Sequence, residues 1–233
     1  MASSSVCWGI EIGAAAIKAI KLENAGEGRV KVLDFAVVQH PKVLSTPGVE
    51  ANEVIRLGLQ QLVGQVDLTK GSLAISVPGQ SAFARFCKLP PVEPKKVPDI
   101  VRFEAMQQIP VPLEEVEWDF QTFVATDSPD VGVGIFAMRK DNLKDRLQLL
   151  ADFGLTPDVV TLSPLAVYNA MAWDLEFAVN TPGTIIVDIG TASTDIVIAE
   201  PGRMWVRTFP MGGHQFTEAL VQAFNLSYPK AEK

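Results

Sequence analysis

The stretch Thr184–Glu200, TIIVDIGTASTDIVIAE, contains two short apolar runs that are separated by a polar turn. Ile185–Val187 leads into Asp188-Ile189-Gly190, and a second apolar run, Ile196–Ala199, follows the turn. Apolar β-forming residues on both sides of a polar segment that contains glycine predict a β-hairpin. The stretch therefore predicts two strands with an acidic residue and a glycine at the turn between them.

The same pattern occurs near the beginning of the chain. EIGAAAIKAIKLE (Glu11–Glu23) aligns on DIGTASTDIVIAE (Asp188–Glu200), so that the two acid-Ile-Gly turns coincide. In both places a further predicted strand and then a helix follow, which a chance match between two hairpins would not explain. We interpret the chain as containing two copies of a βββα unit, with both turns at a shared cleft.

Composition and charge restrict the class of protein. The chain has 233 residues, of which 48% are hydrophobic and 20% charged, as in ordinary folded proteins. A net charge of −7 argues against a nucleic-acid-binding protein, which would need a clustered basic face. The two cysteines, Cys7 and Cys87, lie in apolar segments and predict buried thiols in a reducing compartment. The N-terminus lacks the basic region of a signal peptide, and no apolar run approaches the ~18 residues of a membrane-spanning helix. We therefore expect a cytosolic protein.

Between the two units, the sequence predicts a small αβ subdomain and two further helices. In the helix predicted at 49–63, Leu57 is expected in the apolar stripe; in the helix at 141–154, Asp141 is expected as the N-cap and Gly154 at the C-terminal end. The last predicted helix carries Phe216, Leu220 and Phe224 along one face. The predicted strands are 6–12, 15–23, 29–38, 72–78, 117–125, 131–140, 155–162, 185–187, 196–199 and 203–210, and the other predicted helices are 99–109, 163–173 and 214–225.

The paired turns suggest a phosphate site. Glycine lets the backbone approach a ligand closely, and the amides of a turn are donors suited to phosphate oxygens. A carboxylate at a strand end can hold a hydrated Mg²⁺, which makes Asp188 the best candidate for the metal. Thr191, Ser193 and Thr194 can add hydroxyl donors. The alternative is that Asp188 binds only local amides and that the hydroxyl residues are ordinary turn formers.

The paired turns EIGAAAIK and DIGTASTDIVI, with FPMGGHQFTEAL (Phe209–Leu220) after the second, resemble the phosphate motifs of the actin, sugar-kinase and heat-shock-chaperone superfamily. Two other segments are more specific. RFCKLPPVEPKKVPDIVRFEAMQQIPVPLEEVEWDF (Arg85–Phe120) and LTPDVVTLSPLAVYNA (Leu155–Ala170) resemble the PilM family, the actin-like cytoplasmic proteins of type IV pilus assembly that are related to the division protein FtsA.

The resemblance implies an α/β protein with the actin-like (ribonuclease H-like) ATPase fold, an inserted small αβ subdomain and an incomplete second half. Subdomain 1A would comprise residues 1–79 and 156–181, subdomain 1C residues 80–155, and the start of subdomain 2A residues 182–233. The family's adenine-contacting helix and Gly-rich adenosine motif come later than this sequence runs. We therefore expect a truncated protein or a fragment.

The resemblance also implies that ATP and Mg²⁺ bind at the two turns. Glu11 stands where the family usually has Asp, and the following alanines remove the hydroxyl donors of the first turn, so we expect weak or no ATPase activity and assign no catalytic residue. Asp188 and Glu11 are the expected metal-binding residues. The expected cofactor-binding residues are Glu11, Gly13, Ala14, Ala15, Lys18, Asp188, Gly190, Thr191, Ser193, Thr194, Gly212 and Gly213.

The partner that the resemblance implies is the cytoplasmic tail of PilN, an inner-membrane protein, which docks in the family as an extended peptide between subdomains 1A and 1C. The chain would then be a scaffold at the inner face of the inner membrane, peripheral to the membrane through its partners. Self-association or contacts with pilus motor components are further candidate interactions. The alternatives are a phosphotransferase like the sugar and acetate kinases, and a division protein like FtsA.

Overall fold

Three β-sheets with associated helices make up the computed structural model, which describes residues 6–124, 129–175, 177, 182–200 and 203–233. Short 3-10 turns lie at Gly79–Ser81, Pro94–Lys96 and Leu113–Glu115. The strands and helices are, in chain order, β1 (Val6–Ile12), β2 (Ala16–Gly26), β3 (Arg29–Gln39), α1 (Ala51–Gln65), β4 (Ser72–Val77), β5 (Ala82–Leu89), α2 (Val97–Gln108), β6 (Val116–Val124), β7 (Val131–Arg139), α3 (Lys140–Ala151), β8 (Val159–Leu162), α4 (Ser163–Asp174), β9 (Thr184–Ile189), β10 (Thr194–Glu200), β11 (Arg203–Phe209), α5 (Gly213–Phe224) and α6 (Tyr228–Ala231).

The first sheet has the strand order β3-β2-β1-β4-β8. The strands β1, β2 and β3 form an antiparallel meander, whereas β1 and β4, and then β4 and β8, run parallel. Alternate side chains of β1 are buried against α1 and α3, as the two-residue period of a strand requires. Trp8 is fully buried in this core, and its indole N–H donates to the Asp67 carbonyl oxygen at 3.0 Å.

The inserted sheet has the order β5-β7-β6 and is antiparallel throughout. Val101 and Ala105 of α2 are fully buried in one core with Val133 and Ile135 of β7. Pro98 lies in the first turn of α2, where the missing N–H of proline costs no intrahelical hydrogen bond. The predicted proline-bracketed helix and its two strands are thus confirmed as an αβ unit.

The third sheet has the order β11-β10-β9 and packs against the inserted sheet. Val197 of β10 and Val206 of β11 are buried there, and Phe86, Phe123 and Phe136 of the inserted sheet pack on them. The second βββα unit contacts the rest of the chain through two strands: β11 lies beside the inserted sheet, and β10 lies beside α4.

The two predicted hairpins have the same register. Glu11 lies opposite Lys18 in the β1–β2 pair, and Asp188 lies opposite Asp195 in the β9–β10 pair, as the alignment of the two stretches requires. In each copy a third antiparallel strand and a helix follow. The structure therefore confirms the repeated βββα order. Its origin by duplication stays a prediction.

Two details of the predicted helices are wrong. Leu57 is 55% exposed, because the buried face of α1 consists of Ile55, Gly58, Leu59 and Leu62. Asp141 is not an N-cap, because α3 already begins at Lys140 and no side chain caps it. Gly154 does follow the C-terminal end of α3, with a positive φ of 72° that glycine adopts without strain.

The apolar face predicted for the last helix is present, but it is exposed. Phe216, Leu220 and Phe224 of α5 are 59, 42 and 67% exposed. Alternate apolar residues of the neighbouring edge strand β9, namely Ile185, Val187 and Ile189, are exposed as well. In the described part of the chain, this face of the second unit is therefore not part of a core.

The predicted subdomain boundaries at residues 79, 155 and 181 stay predictions. Leu149 and Leu150 of α3 pack in the core of the first sheet, and Leu155 joins them. The packing thus associates α3 with the first sheet, although the predicted boundary placed it with the inserted subdomain.

A tight contact at Gly79 predicts a specific sensitivity to mutation. A Cβ atom at Gly79 would lie 2.5 Å from Thr208 Oγ1 and 2.9 Å from Asp195 Oδ1, so Gly79→Ala should lower the free energy of unfolding by about 1–3 kcal/mol. Gly64, in α1, has open space at this position, and Gly64→Ala should raise that free energy by about 0.5–1 kcal/mol. Urea titration of both variants measures the difference, and equal stability of Gly79→Ala and the wild type would contradict the prediction.

Candidate functional site

The first turn joins β1 to β2 and is held by the segment that follows β3. Within the turn, the Gly13 N–H donates to the Ala16 carbonyl oxygen at 2.9 Å. The N–H groups of His40 and Leu44 donate to the carbonyl oxygens of Ala15 and Ala14, each at 2.8 Å. Because a carbonyl only accepts, the His40 ring donates from Nε2 to the Gly13 carbonyl oxygen at 3.2 Å. The carbonyls of the turn are thus occupied.

The second turn joins β9 to β10 and has the same internal bond, from the Gly190 N–H to the Ser193 carbonyl oxygen at 2.9 Å. Here the start of α5 supplies the support: the Gly213 and His214 N–H groups donate to the carbonyl oxygens of Gly190 and Thr191, both at 2.9 Å. The Thr194 hydroxyl also takes part in this support, since it donates to the Met211 carbonyl oxygen at 2.7 Å.

Gly212 and Gly213 shape the second turn. A Cβ atom at Gly212 would collide with the carbonyl oxygens of Gly190 and Thr191, so only glycine lets the chain pass there. The Gly212 N–H donates to Gln215 Oε1 at 2.9 Å, and the Gly213 N–H is bonded to Gly190. Their amides are therefore engaged within the protein.

Other amides of both turns are free of acceptors within the described part of the chain. Among the described residues, no hydrogen bond uses the N–H groups of Ala14, Ala15, Thr191 or Ser193. Backbone amides in a turn that are free of protein acceptors suit the oxygens of a phosphate group. The alanines of the first turn thus still offer donors, although they have no side-chain hydroxyls. The residues fit the phosphate groups of a nucleotide in this respect.

The charged residues of the two hairpins differ. Lys18 Nζ lies 3.1 Å from Glu11 Oε2, and both side chains are partly exposed to solvent. An exposed ion pair of this kind contributes little to stability. Asp188 is exposed at the end of β9 and lies opposite Asp195. The structure therefore brings Glu11 and Lys18 together and leaves Asp188 accessible beside a second carboxylate.

Asp195 is a site residue that the sequence analysis missed. It is 7% exposed, and its carboxylate accepts a hydrogen bond from the Thr208 hydroxyl. Burial raises the pKa of the Asp195 carboxyl, and the negative charge of Asp188 raises it further, against the lowering effect of the Thr208 hydrogen bond. The available signal was the alignment of the hairpins, in which this aspartate takes the place of Lys18.

The two histidines of the chain, His40 and His214, lie beside the two turns. His40 supports Gly13, which is distant in sequence, and burial lowers the pKa of the His40 imidazole. His214 is buried: its Nδ1 lies 2.7 Å from the Tyr228 hydroxyl and its Nε2 lies 3.2 Å from Glu218 Oε1. Both histidines therefore belong to the structural support of the region around the turns.

No group of three or more His, Cys, Asp or Glu side chains in the described ranges is placed to hold a metal ion. Mg²⁺ usually keeps several waters and takes one or two protein carboxylates together with substrate phosphates. The exposed Asp188 fits that role, whereas Glu11 is paired with Lys18.

A large groove lies between the first sheet and the inserted sheet. Its volume is about 940 Å³. The strand β6 lies on one side of the groove, and β8, α3 and α4 lie on the other. Its apolar lining includes Val77, Phe136 and Leu162. Among the described strands, β6 pairs only with β7 and β8 only with β4, so each has an unpaired edge. The sequence analysis named no residue of this groove. Glu117 lines the groove, and its Oε1 lies 3.7 Å from Lys140 Nζ.

A search of the described helices finds none that is both long enough and apolar enough to cross a membrane.

The sequence profile of the family described as "Type IV pilus assembly protein PilM" matches residues 9–233. The chain belongs to this family. Its structure is similar to a protein of the PilM-PilN type IV pilus biogenesis complex, with 26% identity and a TM-score of 0.77, over 97% of this chain and 68% of that chain. It is also similar to the cytoplasmic domain of EpsL, an inner-membrane component of the type II secretion system of Vibrio cholerae, with 10% identity and a TM-score of 0.55, over 96% and 78% of the two chains.

These comparisons confirm the predicted family and the predicted actin-like α/β fold class. They also support a role in type IV pilus assembly. The predicted site residues stay predictions, since no comparison tests them.

The buried carboxyl of Asp195 predicts a pH-dependent effect on stability. The pKa of this carboxyl is higher in the folded chain than in the unfolded chain. The stability of the folded chain therefore falls as the pH rises from the unfolded-state pKa to the folded-state pKa of Asp195. Asp195→Asn removes the ionisation and keeps an acceptor for Thr208. The variant should therefore gain stability relative to the wild type between pH 4 and pH 8. Thermal unfolding across this range measures the effect.

Asp145→Asn, on the exposed surface of α3, is the matched control, and its stability relative to the wild type should change little with pH. A difference between Asp195→Asn and the wild type that is constant over the same range would count against the buried-charge explanation.

Proposed function

We propose that this chain is a scaffold of type IV pilus assembly that docks the cytoplasmic tail of a PilN-like inner-membrane protein in the groove between the first and inserted sheets, and that Mg·ATP at the two glycine turns regulates this docking. The observation that carries the proposal is the 940 Å³ groove, which lies between two unpaired strand edges. The similar structure with 26% identity is that of a PilM-PilN complex, and this similarity supports a PilN-like partner.

The groove suits an extended peptide. A peptide can add to an unpaired strand edge through main-chain hydrogen bonds, while its alternate side chains enter pockets. Both β6 and β8 offer such an edge, and Phe136, Met138 and Leu162 supply apolar surface for the side chains. Docking would hold the chain at the inner face of the inner membrane through its partner. Self-association and contacts with motor components would add to the assembly.

The glycine turns suit a nucleotide. The proposal assigns the phosphate groups to the free amides of both turns, with Thr191 and Ser193 as hydroxyl donors and Lys18 as a point charge. Asp188 would hold the water shell of Mg²⁺, which would supply charge neutralisation when bound. We assign no hydrolysis to this chain, because the second carboxylate beside the turn, Asp195, is buried and bonded to Thr208. That bond also disfavours the phosphotransferase alternative, which needs a free base.

Peptide docking predicts a difference between two neighbouring valines of β8. Val160 lines the groove, whereas Val159 is exposed and does not line it. Val160→Lys should weaken the binding of a synthetic PilN tail peptide at least 10-fold, or by about 1.4 kcal/mol, because it places a long charged side chain in the apolar lining of the groove. Val159→Lys should bind as the wild type does. Fluorescence anisotropy of a labelled peptide measures both, and an equal loss in both variants would argue against the groove as the docking site.

Nucleotide binding predicts a role for Asp188. Isothermal titration with Mg·ATP should give micromolar binding by the wild type, and Asp188→Ala should weaken it at least 10-fold because the Mg²⁺ shell loses its carboxylate. Asp145→Ala, on the exposed surface of α3, serves as the control for removal of one negative charge. If the folded wild-type chain binds the PilN peptide but does not bind Mg·ATP, the proposed regulation of docking by nucleotide is wrong, and the proposed docking is unaffected.

A further inference from the structure

A second cavity lies where β11 of the third sheet meets the inserted sheet. Its volume is about 590 Å³, and it receives Arg85 and Phe86 from β5 and Trp205 and Arg207 from β11. Gln80, Gln108 and Thr208 complete its polar lining. We call it the arginine cavity. None of the proposed nucleotide-binding residues lines it, although it shares the wall residues Phe136 and Leu162 with the peptide groove.

The charged lining of the arginine cavity has one sign. Two arginines line it, and no Asp or Glu does. Within the described ranges neither arginine has a carboxylate within 4.0 Å. Two guanidinium groups that face one cavity without counter-charges repel each other less when an anion lies between them. The lining therefore favours a negatively charged ligand.

The two guanidinium groups are held in place by carbonyl groups and keep donors for a ligand. Arg85 donates from Nε to the Gln108 carbonyl oxygen at 3.2 Å and from Nη1 to the Ala84 carbonyl oxygen at 2.9 Å. Arg207 donates from Nη1 to the Val206 carbonyl oxygen at 2.9 Å. No described acceptor uses the Nη2 group of either arginine. A planar guanidinium with free donors suits the oxygens of a phosphate.

Aromatic rings stand beside the arginines. The ring centroids of Phe86 and Trp205 are 5.4 Å apart with an interplanar angle of 41°, and Trp205 is 43% exposed. An exposed indole offers a face on which a planar base can stack, which contributes about 1–3 kcal/mol per base in proteins that bind single-stranded nucleic acids. The side-chain amide of Gln80 can bond to the edge of a base, whereas the Gln108 Nε2 already donates to Glu104 Oε2 at 2.9 Å. The volume lies within the roughly 300–1,000 Å³ of small-molecule sites.

We propose that the arginine cavity is a second ligand site, for a nucleotide whose phosphate is bound by Arg85 and Arg207 and whose base stacks on Trp205. The phosphate is assigned to the arginines, because Thr208, the other polar residue that β11 contributes to the lining, is bonded to the Asp195 carboxylate, which would repel a phosphate. Since β5 belongs to the inserted sheet and β11 to the second βββα unit, the ligand bridges the two. This site is separate from the glycine turns and does not depend on ATP binding there.

The test is isothermal titration of the full chain with AMP, GMP and pyrophosphate in EDTA, which removes the Mg²⁺ that the glycine turns are proposed to use. We expect at least one nucleotide to bind, and Arg207→Gln to raise its Kd at least 10-fold. Trp205→Leu should weaken the nucleotide and leave pyrophosphate unchanged, because it removes only the stacking face. Asp188→Ala should leave binding in the arginine cavity unchanged.

Arg102→Gln, which removes an exposed arginine of α2 outside the cavity, is the matched control for the loss of one positive charge. Circular dichroism checks the fold of each variant, and Arg207→Lys, which keeps the charge and loses the planar donors, replaces Arg207→Gln if that variant does not fold. No binding of either nucleotide at millimolar concentration would overturn the proposal, as would equal effects of Arg207→Gln and Arg102→Gln. Loss of binding in Asp188→Ala would instead assign the nucleotide to the glycine turns.

Discussion

The close packing of Gly79 against Thr208 and Asp195 fixes how the three sheets meet. Gly79 follows the parallel strand β4 and begins the connection to the inserted sheet, while the other two residues belong to β11 and β10 of the third sheet. The approach is closer than any side chain would allow. Burying the Asp195 carboxylate is unfavourable, and the hydrogen bond from Thr208 offsets part of that cost. The peptide groove and the arginine cavity both lie next to this junction, and they share Phe136 and Leu162.

The order of strands and helices was predictable because it depends on local patterns. The acid-Ile-Gly turns identified both hairpins, and the prolines around α2 located that helix to within two residues at its start. Burial was less predictable, because it depends on what packs against an element. Leu57 satisfied the helical period and is exposed, and the apolar face of α5 is exposed although its spacing is regular.

In the candidate site, too, some residues are predictable from local sequence patterns and others depend on the assembled fold. The turn glycines and Asp188 are recognisable from the sequence, because close backbone approach and strand-end carboxylates require particular residue types in adjacent positions. The support of those turns is not recognisable, since His40 reaches Gly13 and Thr208 reaches Asp195 only after the strands have paired. The groove is still less accessible to sequence analysis. It is built from β6 and β8, whose unpaired edges exist only in the assembled sheets.

The two hairpins match in register and in the hydrogen bond that closes each turn, yet their charges do not match. At the position where the first hairpin has Lys18 opposite Glu11, the second has Asp195 opposite Asp188. The backbone geometry of the hairpin is thus repeated, whereas its distribution of charged side chains is not. The first hairpin carries an ion pair, whereas the second carries two aspartates that have no cationic partner among the described residues. A ligand with a cation at one end and bare anionic oxygens at the other would find one orientation favourable and the reverse unfavourable, so the symmetry of the backbone does not extend to recognition.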